Sequence, residues 1–265
     1  MGPVVCRILF LSGALVLGTG ALMPAEGATH TVRKGDTLYA ISRNYKVSVN
    51  RLMAANGIKD PTKLRIGRKL GIPGGSSSSS LKSSVAQVGR GKRVVIDPGH
   101  GGRDWGAYRG GVKESYLNLK VAKKLEYELK RRGYSTAMTR RSDHFVSLSR
   151  RAALGNRYRN AVFVSIHFNA SRYRWVRGAE SFYAGRAGRS LALCIQRELV
   201  RRCRLRDRGV RFARFTVLTQ TRCPAVLVEC GFMSNASERR RCVSSSHHSH
   251  VAMAIAEGIG KYRWR

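Results

Sequence analysis

The sequence predicts an α/β protein: a catalytic-sized domain with a mostly parallel central sheet covered by helices on both faces, joined to a small β-α-α-β module. Three observations predict it. Over the last two thirds of the chain, apolar runs of strand length alternate with amphipathic segments, the pattern of a sheet covered on both faces. The stretch GGSSSSSLKSSVAQVGR at 74–90 has almost no apolar content and reads as a flexible linker. The 265 residues suffice for one sizeable core and one small extra domain. The expected division is therefore 1–27, 28–73, 74–90 and 91–265.

Residues 1–27 read as an export signal. Arg7 precedes the uncharged apolar run Ile8 to Met23, and the small residues of Ala25-Glu26-Gly27 suit a peptidase. The run is shorter than the roughly 20 residues of a spanning helix, which favours cleavage over anchoring. Export changes the meaning of the net charge of +35. Lys and Arg in such excess suit phosphate-bearing polymers. Outside the cytoplasm, however, the abundant polyanions are lipid phosphates, wall polymers and carboxylate-bearing stem peptides. The basic residues are also spread along the chain, with no basic-aromatic motif for nucleic acid. A solvated surface with general affinity for anionic envelope polymers is the expectation, and no nucleic acid partner.

In the segment before the linker, a short alternating stretch (Thr31, Val32, Arg33) meets a turn at Lys34-Gly35-Asp36. Asp36 or Thr37 can cap a helix with Leu38, Ile41 and Tyr45 on one face. A second helix near Val49 to Ala55 stops at Asn56-Gly57, and Lys69 to Ile72 is a closing strand. GDTL after the first strand, the Asn-Gly that ends the second helix, and the final G-x-x-L-x-I-P closely resemble a LysM module. The resemblance covers 28–73 and implies recognition of N-acetylglucosamine-containing glycans without catalysis.

After the linker, Val94 to Asp97 is strand-like. Ser115 to Arg132 sets Leu117, Val121, Leu125 and Leu129 on one helical stripe, ended by Gly133. Tyr134 to Thr139 follows as a strand, Leu148 to Tyr158 as a helix, and AVFVSIH at 161–167 as a buried strand. Gly178 to Tyr183 and Phe215 to Leu218 are shorter strand candidates. Ser190 to Arg202 is expected helical, AVLVE at 225–229 a fully apolar strand, and Val251 to Tyr262 the last helix.

Three of these runs end in a polar residue that a core strand has no use for: VVIDPGH at His100, AVFVSIH at His167 and AVLVE at Glu229. In an open α/β sheet the carboxyl ends of parallel strands meet at one crevice, so two imidazoles and a carboxylate are expected to share it. A catalytic zinc site takes three protein ligands and leaves one position open, commonly with two His and one carboxylate. With His100 and His167 as two ligands, Glu114 is the natural third, because it opens the helix just after the glycine-rich loop.

The motifs VVIDPGHGGRDWGA, Lys113-Glu114, TRRSD at 139–143, SIHFNA at 165–170 and PAVLVECGFMSN at 224–235 resemble, in order, the zinc-dependent N-acetylmuramoyl-L-alanine amidases. The resemblance runs from about Arg93 to the C-terminus. It implies Zn2+ held by His100, Glu114 and His167, and Glu229 as the catalytic general base. The substrate it implies is peptidoglycan, cut at the amide between N-acetylmuramic acid and L-alanine, in the periplasm or cell wall. A zinc peptidase cutting within the stem peptide, and a silent wall-binding protein that kept the fold, are the alternatives. Asn169 is either a substrate-holding or ligand-orienting residue or part of the loop structure.

Some relatives insert a helix after the second histidine motif that blocks the site until a partner protein removes it. Here ten residues, Phe168 to Arg177, separate His167 from Gly178, so the expectation is an open site. Whether a protein activator exists is not read from the sequence. His144 is expected in a loop, and the Ser244 to His250 run SSSHHSH as a solvated loop. The five cysteines after residue 27 include no CxxC, which argues against a thiolate zinc site. Cys194 and Cys203 lie nine positions apart in one helix, ~13 Å of rise, beyond the ~7 Å reach of a disulfide. Cys230 follows Glu229 and faces the other side of its strand.

Overall fold

The computed structural model describes residues 28–73 apart from Lys34, Lys46 and 59–63, together with Gly89 and 91–264. The expected signal segment 1–27, and the linker 74–90 apart from Gly89, lie outside the described residues. In the first unit, strand β1 (Thr29–Thr31) pairs antiparallel with β2 (Lys69–Gly71), and helices α1 (Leu38–Asn44) and α2 (Val49–Ala55) lie between them in sequence. Thr37, not Asp36, caps α1 by accepting from the Ala40 amide, while Asp36 accepts from Arg33 N–H and the His30 ring. Gly57 takes φ 59° at the end of α2. The Asn56 side chain bonds both the N–H and the C=O of Gly71, fastening that turn to β2. The first strand lies two residues earlier than expected. Val32 has turned inward with Leu38, Ile41, Val49, Leu52, Ile58, Leu70 and Ile72 to form a separate small core.

The second unit contains β3 (Arg93–Pro98), the hairpin β4 (Tyr108–Arg109) and β5 (Val112–Lys113), α3 (Glu114–Arg131), β6 (Ser135–Met138), α4 (Leu148–Asn156) and β7 (Ala161–Asn169). It continues with β8 (Ala179–Tyr183), α5 (Arg186–Cys203), β9 (Asp207–Phe212), α6 (Thr216–Thr219), β10 (Ala225–Phe232), α7 (Ala236–Cys242) and α8 (Ser245–Lys261). The six-stranded sheet has the order β6-β3-β7-β10-β8-β9. Its four strands β6, β3, β7 and β10 are parallel, while β8 runs antiparallel to β10 and β9 parallel to β8.

Alternation along the strands sorts the sheet into two faces. Val94, Ile96, Val162, Val164, Ile166, Val226, Val228 and Cys230 face α3, α5 and α8 in the main core. Val95, Phe163, Ala225 and Leu227 face the shorter helices α4 and α6. Glu229 and His167 share the parity of this second, less heavily covered face.

The structure of this unit differs from the sequence expectation in several places. Thr216–Thr219 is a turn of helix, not a strand, because Val217 and Leu218 are both buried in the same cluster, which consecutive strand residues cannot be. The last helix begins at Ser245, capped by Ser244, and buries His247 and His248, so the SSSHHSH run is no solvated loop. β9 and α7 were not foreseen, since their arginines mask any apolar period. All five cysteines among the described residues are free thiols, with Cys203, Cys230 and Cys242 buried.

Candidate active site

The site forms where β3, β7 and β10 end together, with Pro98 opposite Ile166 and Glu229 opposite His167 in the parallel register. After β3 the chain turns through His100 at φ 59°, Gly101 at 132° and Gly102 at 61°. This turn has carbonyls that need partners once buried, and two buried arginines supply them. Arg151 donates to the Pro98 and His100 carbonyls, both at 2.8 Å. Arg140 donates to Pro98 at 2.9 Å and to Gly99 and Ser115 at 2.8 Å. The buried Asp97 compensates Arg151 at 2.8 Å and also accepts from the Thr139 and Ser165 hydroxyls. The TRRSD motif therefore contributes a scaffold for His100, a role the sequence reading did not assign to Arg140 or Arg151.

His100 is oriented by Asp104, whose Oδ2 lies 2.8 Å from Nδ1. That leaves Nε2 facing Glu114 Oε1 at 3.3 Å. From β7, His167 Nδ1 reaches the same oxygen at 2.9 Å. The donor atoms of His100, Glu114 and His167 lie within 4.8 Å of one another. Three further contacts fix the carboxylate, from Phe168 N–H and Asn118 Nδ2 to Oε1 and from Ala107 N–H to Oε2. Asp104 could have been found in the sequence as an acidic residue four positions after His100, in a loop too short to carry it away.

The glycines around His100 make room for these rings. A Cβ on Gly99 would come within 2.2 Å of the His167 ring, and one on Gly106 within 2.5 Å of both Glu114 Oε2 and His100 Cδ2. Burial by itself would raise the Glu114 carboxyl, but the hydrogen bonds from His100 and His167 outweigh it and hold Glu114 well below the usual carboxylate range. Burial lowers the His100 imidazole, and the Glu114 and Asp104 carboxylates more than reverse that, raising it. The cluster thus keeps an anion between two imidazoles, a donor set that can hold a divalent cation.

Glu229 stands beside His167 on β10, just before the register breaks at Gly231. Its Oε2 is shut off from solvent and has no hydrogen-bond partner. Burial drives its carboxyl well above the ordinary range, and the nearby negative charges of Glu114 and Glu180 push it further. Glu180, paired with Glu229 from β8, is held by Arg208 at 3.2 Å and by Asn169 Nδ2 at 2.8 Å. Asn169 Oδ1 accepts from Ala170 N–H, so both ends of this side chain are engaged within the protein. His144 lies in a loop, as expected, with its backbone against Gly101 and Gly102. Cys230 points into the main core, away from Glu229. Between Asn169 and Gly178 the chain forms turns and bends without a helix.

Comparison with known proteins places these observations in a lineage. The family model described as N-acetylmuramoyl-L-alanine amidase matches residues 94–261, and the LysM domain model matches 30–73. The uncharacterized protein YqiI of Bacillus subtilis is 36% identical over 74% of this chain and 96% of its own length. The N-acetylmuramoyl-L-alanine amidase LytC of the same organism is 34% identical over 70% of this chain, which spans 37% of that longer protein. The catalytic domain of CwlV, an N-acetylmuramoyl-L-alanine amidase from Bacillus (Paenibacillus) polymyxa, superimposes with a TM-score of 0.63 at 36% identity, covering 64% of this chain and 97% of that one. With the sheet, the strand-end cluster and these matches in agreement, the chain belongs to the N-acetylmuramoyl-L-alanine amidase family and carries an N-terminal LysM domain.

Proposed function

We propose that this chain hydrolyses the amide joining the lactyl group of N-acetylmuramic acid to the L-alanine of the peptidoglycan stem peptide, using zinc held by His100, Glu114 and His167. The observation that carries the reading is the convergence of those three donors within 4.8 Å beside a carboxylate, Glu229, whose buried Oε2 has no partner inside the protein. The donor chemistry fits zinc: two imidazoles and one carboxylate, with Asp104 fixing the His100 tautomer as carboxylates do behind zinc-bound histidines. The glycines at 99 and 106 leave the space that the rings need. Zinc bound there supplies Lewis-acid polarisation of the scissile carbonyl and makes water acidic near neutral pH.

The remaining work falls to the protein. Glu229 Oε2 accepts the proton of the attacking water and returns it to the leaving amine of L-alanine. Its environment suits both halves, since burial raises its basicity and leaves it free of competing donors. Asn169 acts as a positioning residue, holding Glu180 in place next to Glu229. The LysM domain binds the glycan strand, and the substrate polymer implies an exported protein in the periplasm or cell wall.

The test is digestion of purified peptidoglycan followed by mass analysis. Stem peptides beginning at L-alanine are expected, lost on chelation, restored by zinc, and absent with Glu229→Gln although that variant still binds zinc. Fragments cut inside the stem would instead make the protein a peptidase. Undiminished release after chelation would remove the metal from the reaction.

A further inference from the structure

The short segment after β7 builds a second feature. Residues 170–177 run alongside the start of α7, where Ser171 N–H donates to Ser234 Oγ at 2.9 Å and Asn235 Nδ2 donates to the Arg174 carbonyl at 2.9 Å. Together with the β4–β5 hairpin they enclose an open cleft of about 750 Å³ lined by Arg109, Arg172, Arg174, Arg239 and Arg240. Five arginines in one cleft repel one another unless an anion sits among them. None of the five has an ion pair with an acidic side chain among the described residues, where the arginine pairs engage other arginines. Arg109 bonds its neighbour's carbonyl, Arg239 bonds the Met233 carbonyl, and Arg172 lies over the Tyr173 ring. The nearby Glu238 carboxylate is turned inward onto the amides of Gly178 and Phe232 and does not neutralise the cleft.

The cleft is built from chain segments that adjoin, in sequence, those of the candidate active site. Ser171 is two residues beyond Asn169 at the end of β7, which is at most ~7 Å of chain. Ser234 follows Glu229 by five residues, and the hairpin carrying Arg109 leads directly into Glu114. A peptide whose first amide lies at the His100, Glu114, His167 cluster would meet this cleft within its next few residues. Guanidinium groups recognise carboxylates through paired N–H donors, a geometry that lysines would not supply.

We propose that the arginine-lined cleft is a carboxylate subsite that receives the acidic groups of the stem peptide beyond the scissile bond, so the enzyme selects stems whose carboxyl groups are free over those in which they are amidated. The inference rests on the activity assigned above for its choice of ligand. The place of the cleft favours a peptide over a phosphodiester wall polymer, because Ser171 and Ser234 on its wall follow the ends of β7 and β10, the strands that carry His167 and Glu229.

The test uses the full chain and two synthetic stem peptides, one with free carboxylates and one with the same groups amidated, each labelled for fluorescence anisotropy. Wild type is expected to bind the free-carboxylate peptide at least roughly tenfold more tightly, about 1.4 kcal/mol. Arg172→Gln/Arg174→Gln/Arg240→Gln is expected to abolish that preference. Removing three equally exposed charges from α5 (Arg186→Gln/Arg189→Gln/Arg197→Gln) is expected to leave it intact and controls for net charge. Equal binding of the two peptides by wild type, an unchanged preference in the cleft variant, or an equal loss in the α5 variant would overturn the proposal. So would a cleft variant that loses only adsorption to a phosphodiester polymer. The activity reading is judged separately: release of no peptide beginning at L-alanine by wild type would defeat it while the anisotropy comparison still stands.

Discussion

At position 99 a methyl group would lie 2.2 Å from the His167 imidazole, so the glycine there answers a steric demand of the site. Its φ is not in the left-handed region, unlike that of Gly101 and Gly102. Gly99→Ala therefore tests the packing of the site apart from backbone strain. The His167 ring must move away from Glu114, and zinc affinity is expected to fall by about 10–100-fold, the range seen when a ligand loses its orientation, while the melting temperature changes little. Titration of the apo protein with zinc against a competing chelator measures this, and wild-type affinity in the variant would refute it. The strand-end residues His100, His167 and Glu229 were legible in the sequence because each is a polar residue closing an apolar run, a position where burial makes chance occupancy costly. Arg140 and Arg151 were not, because their partners on the β3 turn lie 41 to 54 residues away and only folding reveals them.

The element that most depends on such hidden partners is the turn after β3. Arg151 reaches from α4 to Asp97 and to two turn carbonyls, and Asp97 is almost completely buried. Arg151→Met leaves that carboxylate with only the two hydroxyls of Thr139 and Ser165, and removing one member of a buried pair costs about 3–5 kcal/mol. Chemical denaturation is expected to show a loss of that size, and activity is expected to fall with it because His100 rides on the same turn. Helix α8 carries a different consequence. The sequence suggested a polar loop for Ser244 to His250, since serines and histidines show no apolar period, yet Ser244 caps the helix and His247 and His248 pack inside. Burial holds the His247 imidazole down at about 3 and His248 at about 4, the latter although its ring bonds the Cys242 carbonyl. An unfolded chain protonates both near pH 6.5, so between that pH and about 4 the unfolded state takes up protons that the folded state does not, and stability falls as pH falls. Denaturation midpoints measured from pH 7 to 4 are expected to drop steadily, and His248→Gln, which keeps a donor for Cys242, is expected to flatten part of the slope. An unchanged slope in that variant would place the acid sensitivity elsewhere.

At the scale of the whole chain, two hydrophobic cores share no residue: one inside the LysM domain around Ile41 and Leu52, the other within and beneath the six-stranded sheet. The two units meet where Tyr39 stands edge-on to Tyr127 with Lys124 over its ring, and α1 shares clefts there with α3 and α8. Each unit buries its own apolar surface, so neither needs the other to fold. In the sequence the two units are separated by the 17 residues 74–90. On the function proposed above, a glycan-bound LysM domain would hold the active site at an effective concentration in the millimolar range, and the net charge of +35 would add a general, salt-screened attraction to an anionic wall. These two contributions separate experimentally. Deleting 28–73 is expected to leave kcat/KM on soluble muropeptides within about twofold and to slow digestion of insoluble peptidoglycan at dilute enzyme by at least ~10-fold. Raising the salt concentration is expected to weaken wall adsorption of both forms, because most of the charge stays with the sheet domain. If deletion depressed both substrates equally, the LysM domain would be supporting the fold of the catalytic domain through the Tyr39 contact, and tethering would not be its contribution to activity.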